Sequence, residues 1–161
     1  MLDLNYKDIE FTTVEAGVYE GLITGYEYRV TKNGKKSISL NIAIRNDIEQ
    51  KFKNSNLFYN IWATDKPDVR TIEGYVSFSI ATVAKACGLP EKIDVSSLEE
   101  LLALFIRKPV RVTVQQGEYN GKIYANITKI EQSTYTMINH KFKTEEAPAG
   151  FAPVSNSDIP F

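Results

Sequence analysis

The chain has 161 residues, of which 43% are hydrophobic, so it is long enough to bury a core in one domain with some length to spare. Its net charge of −1 argues against a strongly basic nucleic-acid binder. Of its 19 basic and 20 acidic residues, two basic and four acidic ones lie from Glu131 onward, which leaves the body at +1. Cations that cluster in such a body can still form a positive groove.

Cysteine content and hydropathy indicate in which cellular compartment the protein is expected. Cys87 is the single cysteine, so no intramolecular disulfide can form, and its apolar surroundings predict a buried structural thiol. No apolar run reaches membrane-spanning length, and the first residues lack the pattern of a signal peptide. We therefore expect a soluble protein of the cytoplasm, without contact with a membrane.

Residues 1–16 form a polar-mixed stretch that predicts an N-terminal arm, and a long hairpin follows. Two β-rich runs flank Lys32-Asn33-Gly34-Lys35, and Asn-Gly between such runs predicts a type I′ turn. The second run, residues 37–45, alternates apolar and polar side chains, which places Ser39, Asn41 and Arg45 on the face away from the core. In the first run, Gly21 and Gly25 indicate a bulge or a sharp bend.

The next predicted strand, residues 57–63, has aromatic side chains on both faces. Both faces cannot be buried in a small one-layer barrel, so one of Tyr59 and Trp62 should face outward. Two helices follow in the sequence. The first has apolar residues at helical spacing from Val76 to Cys87 and stops at Gly88, and the second begins at the capping box of Ser97 and Glu100.

Two more strands complete the pattern. Alternating residues 109–116 and 122–127 are joined by a second Asn-Gly turn at 120–121. The order β-β-β-α-β-β predicts an all-β domain over residues 17–131, a five-stranded Greek-key barrel of the OB-fold type with one or two helices between strands three and four. An SH3-like barrel or a small α+β domain is the alternative. Residues 132–161 are poor in bulky apolar groups and predict a disordered tail.

Catalytic patterns are sparse. His140 lies in the predicted tail, Cys87 cannot form a zinc site alone, and the sequence has no glycine-rich phosphate loop. Asp65, Asp68 and Glu73 are the best acidic cluster, but they lack the acid-x-lysine strand of a nuclease centre, which favours a solvated loop. We predict no enzyme activity, no metal and no cofactor.

Single-strand binding fits the residues better. Cations that follow the phosphates and aromatic rings on which bases stack hold single strands. The alternative is that Phe58 and Trp62 belong to the core and that the lysines at the hairpin tip are simply solvated. The outward assignments of Arg111 and Tyr124, made independently from two strands, favour binding. The candidate DNA-binding residues are Arg29, Lys32, Lys35, Lys36, Arg45, Lys51, Phe52, Lys53, Phe58, Trp62, Arg111, Tyr119, Lys122 and Tyr124.

Six segments carry a likeness to a known family. They are Gly17-Val18-Tyr19-Glu20, Gly25-Tyr26-Glu27-Tyr28, Lys32-Asn33-Gly34-Lys35, Asn60-Ile61-Trp62, Gly88-Leu89-Pro90 and the run from Ile106 to Val112. Over residues 16–130 the chain resembles small proteins from phages of Gram-positive bacteria that are catalogued as a domain of unknown function and linked with phage single-stranded-DNA-binding proteins. The resemblance implies a role in phage DNA replication or recombination, in the cytoplasm of the bacterial host.

The last four residues carry a second resemblance. Asp158-Ile159-Pro160-Phe161 is similar to the C-terminal tip of bacterial single-stranded-DNA-binding proteins, although Ser155-Asn156-Ser157 stands where acidic residues are expected. In those proteins the tip docks on replication, recombination and repair proteins. The resemblance implies that Asp158, Ile159, Pro160 and Phe161 dock on such partners here.

The sequence thus predicts a homo-oligomer, a dimer or a tetramer, that coats single-stranded DNA without strong sequence preference and recruits partners through its tip. The second hypothesis is a recombination accessory or protein-interaction module with no autonomous DNA binding. An enzyme with metal-dependent cleavage at Asp68 is the third.

Overall fold

A computed structural model describes residues 13–142. The strands are β1 (Gly17–Val30), β2 (Lys36–Ile44), β3 (Asn56–Trp62), β4 (Thr71–Ile72), β5 (Tyr75–Val76), β6 (Pro109–Tyr119) and β7 (Lys122–Gln132), and the helices are α1 (Ser77–Ala86) and α2 (Leu98–Phe105). Neither helix in this part of the chain is long and apolar enough to cross a membrane.

Five strands form one antiparallel sheet in the order β3-β2-β1-β6-β7, and β4 pairs with β5 in a separate small sheet. The mostly-β fold and the two helices between the third and the next long strand are confirmed. β3 and β7 approach each other, and α1 contacts both. Within residues 13–142, however, no hydrogen-bonded ladder joins these two edges, so the sheet is not closed as the predicted barrel would be.

The core lies between the inner face of the sheet and the two helices. Ile38, Leu40, Ile42 and Ile44 of β2 are fully buried, as their alternation predicts, although Ser39 and Ala43 between them are also buried. α2 inserts Leu98, Leu101, Leu102 and Phe105, as its spacing predicts, and α1 inserts Ile80, Val83 and Ala86. The strands can pack this closely because Gly21 has no side chain: a Cβ there would lie 2.6 Å from Cγ2 of Ile42.

β1 contains the bulge that its glycines indicate. Ile23 pairs with Ile42, but Gly25 pairs with Asn41, so Thr24 is the extra residue. The bulge shifts the alternation by one residue, which is why no single parity explains this strand. Tyr19 and Ile23 face the core before the bulge, and Tyr26 packs against it afterwards.

The two Asn-Gly turns differ. In the second, Asn120 and Gly121 both have positive φ (54° and 78°), as a two-residue type I′ hairpin requires. In the first, only Gly34 has positive φ (82°), and its N–H donates to the Thr31 carbonyl at 2.9 Å. The type I′ prediction for this turn is therefore wrong. Residues 31–35 form a longer loop, in which residues 31–34 make a turn closed by this hydrogen bond and Gly34, at its end, has the positive φ.

Side chains cap the start of α2. Ser97 accepts a hydrogen bond from the backbone N–H of Glu100 at 3.2 Å, as the capping box predicts, while the Glu100 carboxylate binds Ser96 instead of Ser97. Oε2 of Glu73 accepts from the backbone N–H of Leu98 at 2.7 Å. Glu73 therefore holds a helix end, where backbone N–H groups favour a negative charge.

Residues 133–142 pack on the loop that follows β2. The buried guanidinium of Arg45 forms an ion pair with Asp47 at 2.6 Å and donates to the carbonyls of Tyr135 (2.6 Å) and Met137 (2.8 Å). Nδ1 of the buried His140 accepts from the backbone N–H of Asn46 at 3.1 Å. The predicted disorder is wrong for residues 132–142, because composition does not reveal that a buried arginine holds them. Residues 143–161 lie outside the described part, as do residues 1–12 of the predicted arm.

Asp47→Asn tests this ion pair. Burial alone would raise the pKa of Asp47, but hydrogen bonds from Arg45 and from the Asn139 N–H, together with the Arg45 charge, lower it below its ordinary value of 3.8. The ionised Asp47 therefore stabilises the folded state above the pKa that it has in the unfolded chain. This stabilisation is lost as the pH falls through the lowered pKa of the folded state. We expect Asp47→Asn to lower the free energy of unfolding by about 3–5 kcal/mol at pH 7, because it leaves the Arg45 charge buried without its partner.

Chemical denaturation from pH 7 to pH 3 measures both effects. The free energy of unfolding of Asp47→Asn should fall less on acidification than that of the unaltered protein, because the variant has no carboxylate to protonate at this position. Asp68→Asn is the matched control, since Asp68 is exposed. If the two variants unfold alike, the ion pair does not stabilise the fold.

Candidate nucleic-acid interface

Three rows of side chains cross β1, β2 and β3 on the face away from the core. The first is Gly25, Asn41 and Phe58, the second Glu27, Ser39 and Asn60, and the third Arg29, Ser37 and Trp62. We call these nine residues the outer face. Ser37 and Ser39 are buried between the larger side chains of the flanking strands and form its floor.

The aromatic residues of the outer face both come from β3. Phe58 is 51% exposed and Trp62 36%, while Leu57 and Ile61 are buried on the opposite side of the strand. Trp62 is therefore the residue that faces outward, and the half-buried Tyr59 packs against the core. Since a strand rises about 3.3 Å per residue, the two exposed rings are roughly 13 Å apart along one edge of the face.

Cations lie close to both rings. Nζ of Lys35 is 4.7 Å from the centroid of the Trp62 ring, and Cζ of Arg29 is 5.9 Å from that of Phe58. These distances are in the range of cation–π contacts, which hold the positive groups beside the rings. Arg29 also pairs with Glu27 at 2.8 Å, and both side chains are exposed.

Two open grooves run along this surface. One, of about 350 Å³, lies over the first row and is lined by Gly25, Asn41 and Phe58 together with Arg29. The other, of about 810 Å³, lies between the tip of the first hairpin and residues 63–66 and 73–76, and Trp62, Lys35 and Lys36 line it. Lys32, at the same tip, is exposed. The structure thus brings together six of the predicted site residues: Arg29, Lys32, Lys35, Lys36, Phe58 and Trp62.

The loop after β2 does not contribute in the same way. Arg45 has the outward parity of its strand but is fully buried beneath residues 135–137, so the prediction that it is exposed is wrong. Phe52 packs edge-on against Tyr19, with ring centroids 6.2 Å apart. Lys53 pairs with Glu49 at 2.6 Å, and Lys51, although exposed, lies in this loop and not on the outer face.

The β6–β7 hairpin contributes a separate exposed cluster. Tyr119, Lys122 and Tyr124 lie on one face of its tip, where Tyr119 is opposite Lys122. Arg111 has the same outward parity, but it pairs with the buried Glu20 at 2.7 Å and donates to Oγ1 of Thr134 at 3.0 Å. The two outward assignments agree in direction, but Arg111 acts mainly as a tie to the segment after β7.

Several outer-face residues are absent from the sequence-based set: Gly25, Glu27, Ser37, Ser39, Asn41 and Asn60. The alternation of β2 already placed Ser39 and Asn41 outward. Pairing the even residues of β3 with the outward, odd residues of β2 would have added Asn60. Glu27 and Gly25 could not be placed without the position of the bulge.

Other reactive groups have structural surroundings. Burial raises the pKa of the half-buried Cys87 thiol to about 12, against a smaller opposite effect of Lys108, so the nucleophilic thiolate is scarce at neutral pH. Glu73 caps α2, while Asp65 and Asp68 are exposed on their loop. Residues 13–142 hold no group of three or more His, Cys, Asp or Glu side chains placed to bind a metal. The absence of enzyme activity stays a prediction.

Comparison with known proteins gives a family. Residues 2–147 match the family described as "Protein of unknown function (DUF669)". The chain belongs to the DUF669 family. The match includes all strands and helices described above, so the outer face lies within the family's domain. No curated protein matches the chain. The predicted docking tip, residues 158–161, lies beyond both the match and the described residues.

Proposed function

We propose that this DUF669 protein binds single-stranded DNA across its outer face without strong sequence preference. The observation that carries the proposal is the combination of two exposed aromatic rings with two adjacent cations on one side of three strands. Bases stack on the faces of such rings whatever their identity, and phosphates are attracted to the cations.

The positions of the side chains indicate which of them contact the bases and which contact the phosphates. Phe58 and Trp62 offer ring faces at the β3 edge, whereas Arg29 and Lys35 are placed to meet the backbone of the strand. Lys32 and Lys36 extend the positive surface around the hairpin tip. Because phosphate contacts release counterions, affinity should fall steeply with salt. The net charge of −1 does not oppose this, since the local cluster attracts the polyanion.

The strand order supports an OB-type fold for the domain. In that fold a three-stranded meander is followed by a helix and a hairpin whose first strand pairs with strand one, and its oligonucleotide site lies around strands two and three. β1, β2 and β3, the helices, and β6 with β7 follow this order, and the outer face lies on the corresponding strands. We take the domain to be an open variant, whose β3 and β7 edges are bridged by α1.

The wider role is a proposal from resemblance. The family likeness to phage proteins suggests action in DNA replication or recombination in a bacterial host, as a dimer or a tetramer. The four C-terminal residues suggest that replication or recombination proteins are recruited through the tip.

A protein-interaction module without autonomous DNA binding is the second candidate. One observation favours it: Phe78 of α1 is 80% exposed beside an open groove of about 780 Å³ between α1, β3 and β7. An exposed aromatic next to a mainly apolar groove is a common feature of protein-binding surfaces. Failure of the purified protein to bind any oligonucleotide, with retained binding to a partner, would favour this candidate.

Phe58→Ala and Trp62→Ala test the stacking. Each variant should bind fluorescein-labelled oligo-dT roughly 5- to 150-fold more weakly, because a base–aromatic stack contributes about 1–3 kcal/mol. Fluorescence anisotropy at low salt measures the affinity. Thermal unfolding should change less for Phe58→Ala than for Trp62→Ala, since Phe58 is 51% exposed and Trp62 only 36%.

Phe78→Ala is the control for these variants. It removes an exposed phenyl ring from α1, off the outer face, and should leave the affinity unchanged. If Phe58→Ala and Trp62→Ala bind as tightly as the unaltered protein, the bases do not stack on this face.

Glu27→Gln tests the electrostatic part. Glu27 places a negative charge among the cations and holds Arg29 in an ion pair. Its neutralisation should raise the affinity for oligo-dT, and the freed Arg29 should steepen the dependence of log K on log salt by about 0.7, the value of one further single-strand phosphate contact. Titrations at several salt concentrations measure both.

Glu91→Gln makes the same change in net charge on the exposed loop between α1 and α2. It should have a smaller effect on the affinity for oligo-dT and no effect on the dependence of log K on log salt. Equal effects of the two variants would mean that only total charge matters.

A further inference from the structure

We propose that the groove over the first row of the outer face is a pocket for one nucleobase, and that the side-chain amide of Asn41 hydrogen-bonds the edge of that base. The inference rests on the proposed single-strand binding and adds to it a polar contact with the base. Phe58 is the stacking wall of this pocket, Asn41 its floor and Gly25 its open side.

The oxygen of the Asn41 side chain is the first observation. Oδ1 is buried, and it is the one buried side-chain oxygen or nitrogen in residues 13–142 that lacks a hydrogen-bond partner. The backbone carbonyl of the same residue accepts from Oγ1 of Thr24 at 3.2 Å, so only the side chain is unsatisfied. A buried acceptor without a donor destabilises a fold, and a ligand N–H that reaches Oδ1 from the adjoining groove would remove this cost.

Gly25 is the second observation, and it is independent of the first. It lies directly opposite Asn41, and a Cβ at this position would meet no other described heavy atom within 4 Å. Its φ lies outside the left-handed region, so backbone conformation does not demand glycine there. Neither crowding nor strain accounts for this glycine, and its effect is to keep the space next to Asn41 open.

The remaining wall suits a flat aromatic ligand. Phe58 is opposite Asn41 on the other side and is half exposed, and the Arg29 guanidinium is within 5.9 Å of its centroid. A base stacked on Phe58 could direct its edge at Asn41 while its phosphate remains near Arg29. The pocket is thus built for a ring that carries an N–H group and is attached to an anion.

This chemistry is compatible with weak sequence preference. Every base has a donor for the amide oxygen, since thymine and guanine carry a ring N–H and adenine and cytosine carry an exocyclic amine. The pocket should therefore accept all four bases. It should bind poorly a base whose donor has been removed, such as N3-methylthymine.

The test compares two labelled oligonucleotides of equal length, oligo-dT and oligo-N3-methyl-dT, by anisotropy with the full-length protein. The unaltered protein should bind the methylated strand roughly fivefold or more weakly, because one hydrogen bond is lost. Asn41→Leu keeps the approximate size of the side chain but removes the acceptor. This variant should bind the two strands with a smaller difference, and its thermal unfolding temperature should rise because no acceptor is left unsatisfied.

Two further variants make the test specific. Asn60→Leu changes the same residue type one row along on the exposed part of the face and should keep the full preference for oligo-dT. Gly25→Val fills the pocket without altering Asn41 and should reduce the preference as Asn41→Leu does, which covers the case in which the latter fails to fold.

The possible outcomes distinguish a failure of the base pocket from a failure of the proposed single-strand binding. If the unaltered protein binds both strands equally, or if Asn41→Leu and Gly25→Val keep its preference, the pocket is refuted while single-strand binding stands. If the unaltered protein binds neither strand, the proposed function fails and the pocket fails with it.

Discussion

The register shift between Ile23 and Gly25 determines which side chains of the first hairpin face solvent. Without the bulge, the parity that buries Tyr19 and Ile23 would continue along β1 and carry Gly25 and Arg29 to the core side. With it, Tyr26 packs inward and Arg29 comes to lie beside Phe58. One extra residue, Thr24, therefore aligns the exposed end of β1 with the outward residues of β2 and β3. Bulges commonly re-aim side chains in this way near functional sites.

The buried charge of Arg45 determines how far the candidate interface extends along the sheet. The Arg45 guanidinium is satisfied by Asp47 and by carbonyl groups of the segment after β7, which it holds against the sheet. Glu20 is tied to the same segment, because it accepts from Ser133 at 2.6 Å and pairs with Arg111. These contacts cover the middle of the sheet's solvent side. What remains open is the hairpin end with Phe58 and Trp62 and, separately, the tip of the β6–β7 hairpin.

Much of the fold could be predicted because local signals and packing agree. The alternation in β2 and the helical spacing of Leu98, Leu101 and Leu102 each predicted which apolar side chains face the core, and the structure buries them, although Ser39 and Ala43 on the other face of β2 are buried as well. The turn at Asn33-Gly34 was mispredicted because loop length, and not the dipeptide alone, selects the turn type. The sheet edges were expected to close, but no ladder joins β3 and β7, and α1 contacts both strands, a packing that no local pattern encodes.

In the candidate site, too, the sequence predicts the residues whose placement depends on local patterns and misses those whose role depends on tertiary contacts. Phe58, Trp62 and the lysines near Gly34 were identified because residue type and parity suffice for exposed positions on regular strands. Arg45 and Arg111 were included for their charge and parity, yet both are held in ion pairs, and alternation does not reveal that the segment after β7 covers Arg45. Asn41 was placed on the correct face, but its significance depends on an unsatisfied oxygen, which only three-dimensional contacts reveal.

Photocrosslinking can locate a single strand of DNA on the outer face. The full-length protein would be irradiated with oligonucleotides carrying 5-iodo-deoxyuridine, and the crosslinked peptides identified by mass spectrometry. We expect the crosslinks to be concentrated at Phe58 and Trp62 on β3. Crosslinks confined to Phe78 of α1 or to the β6–β7 tip would contradict it.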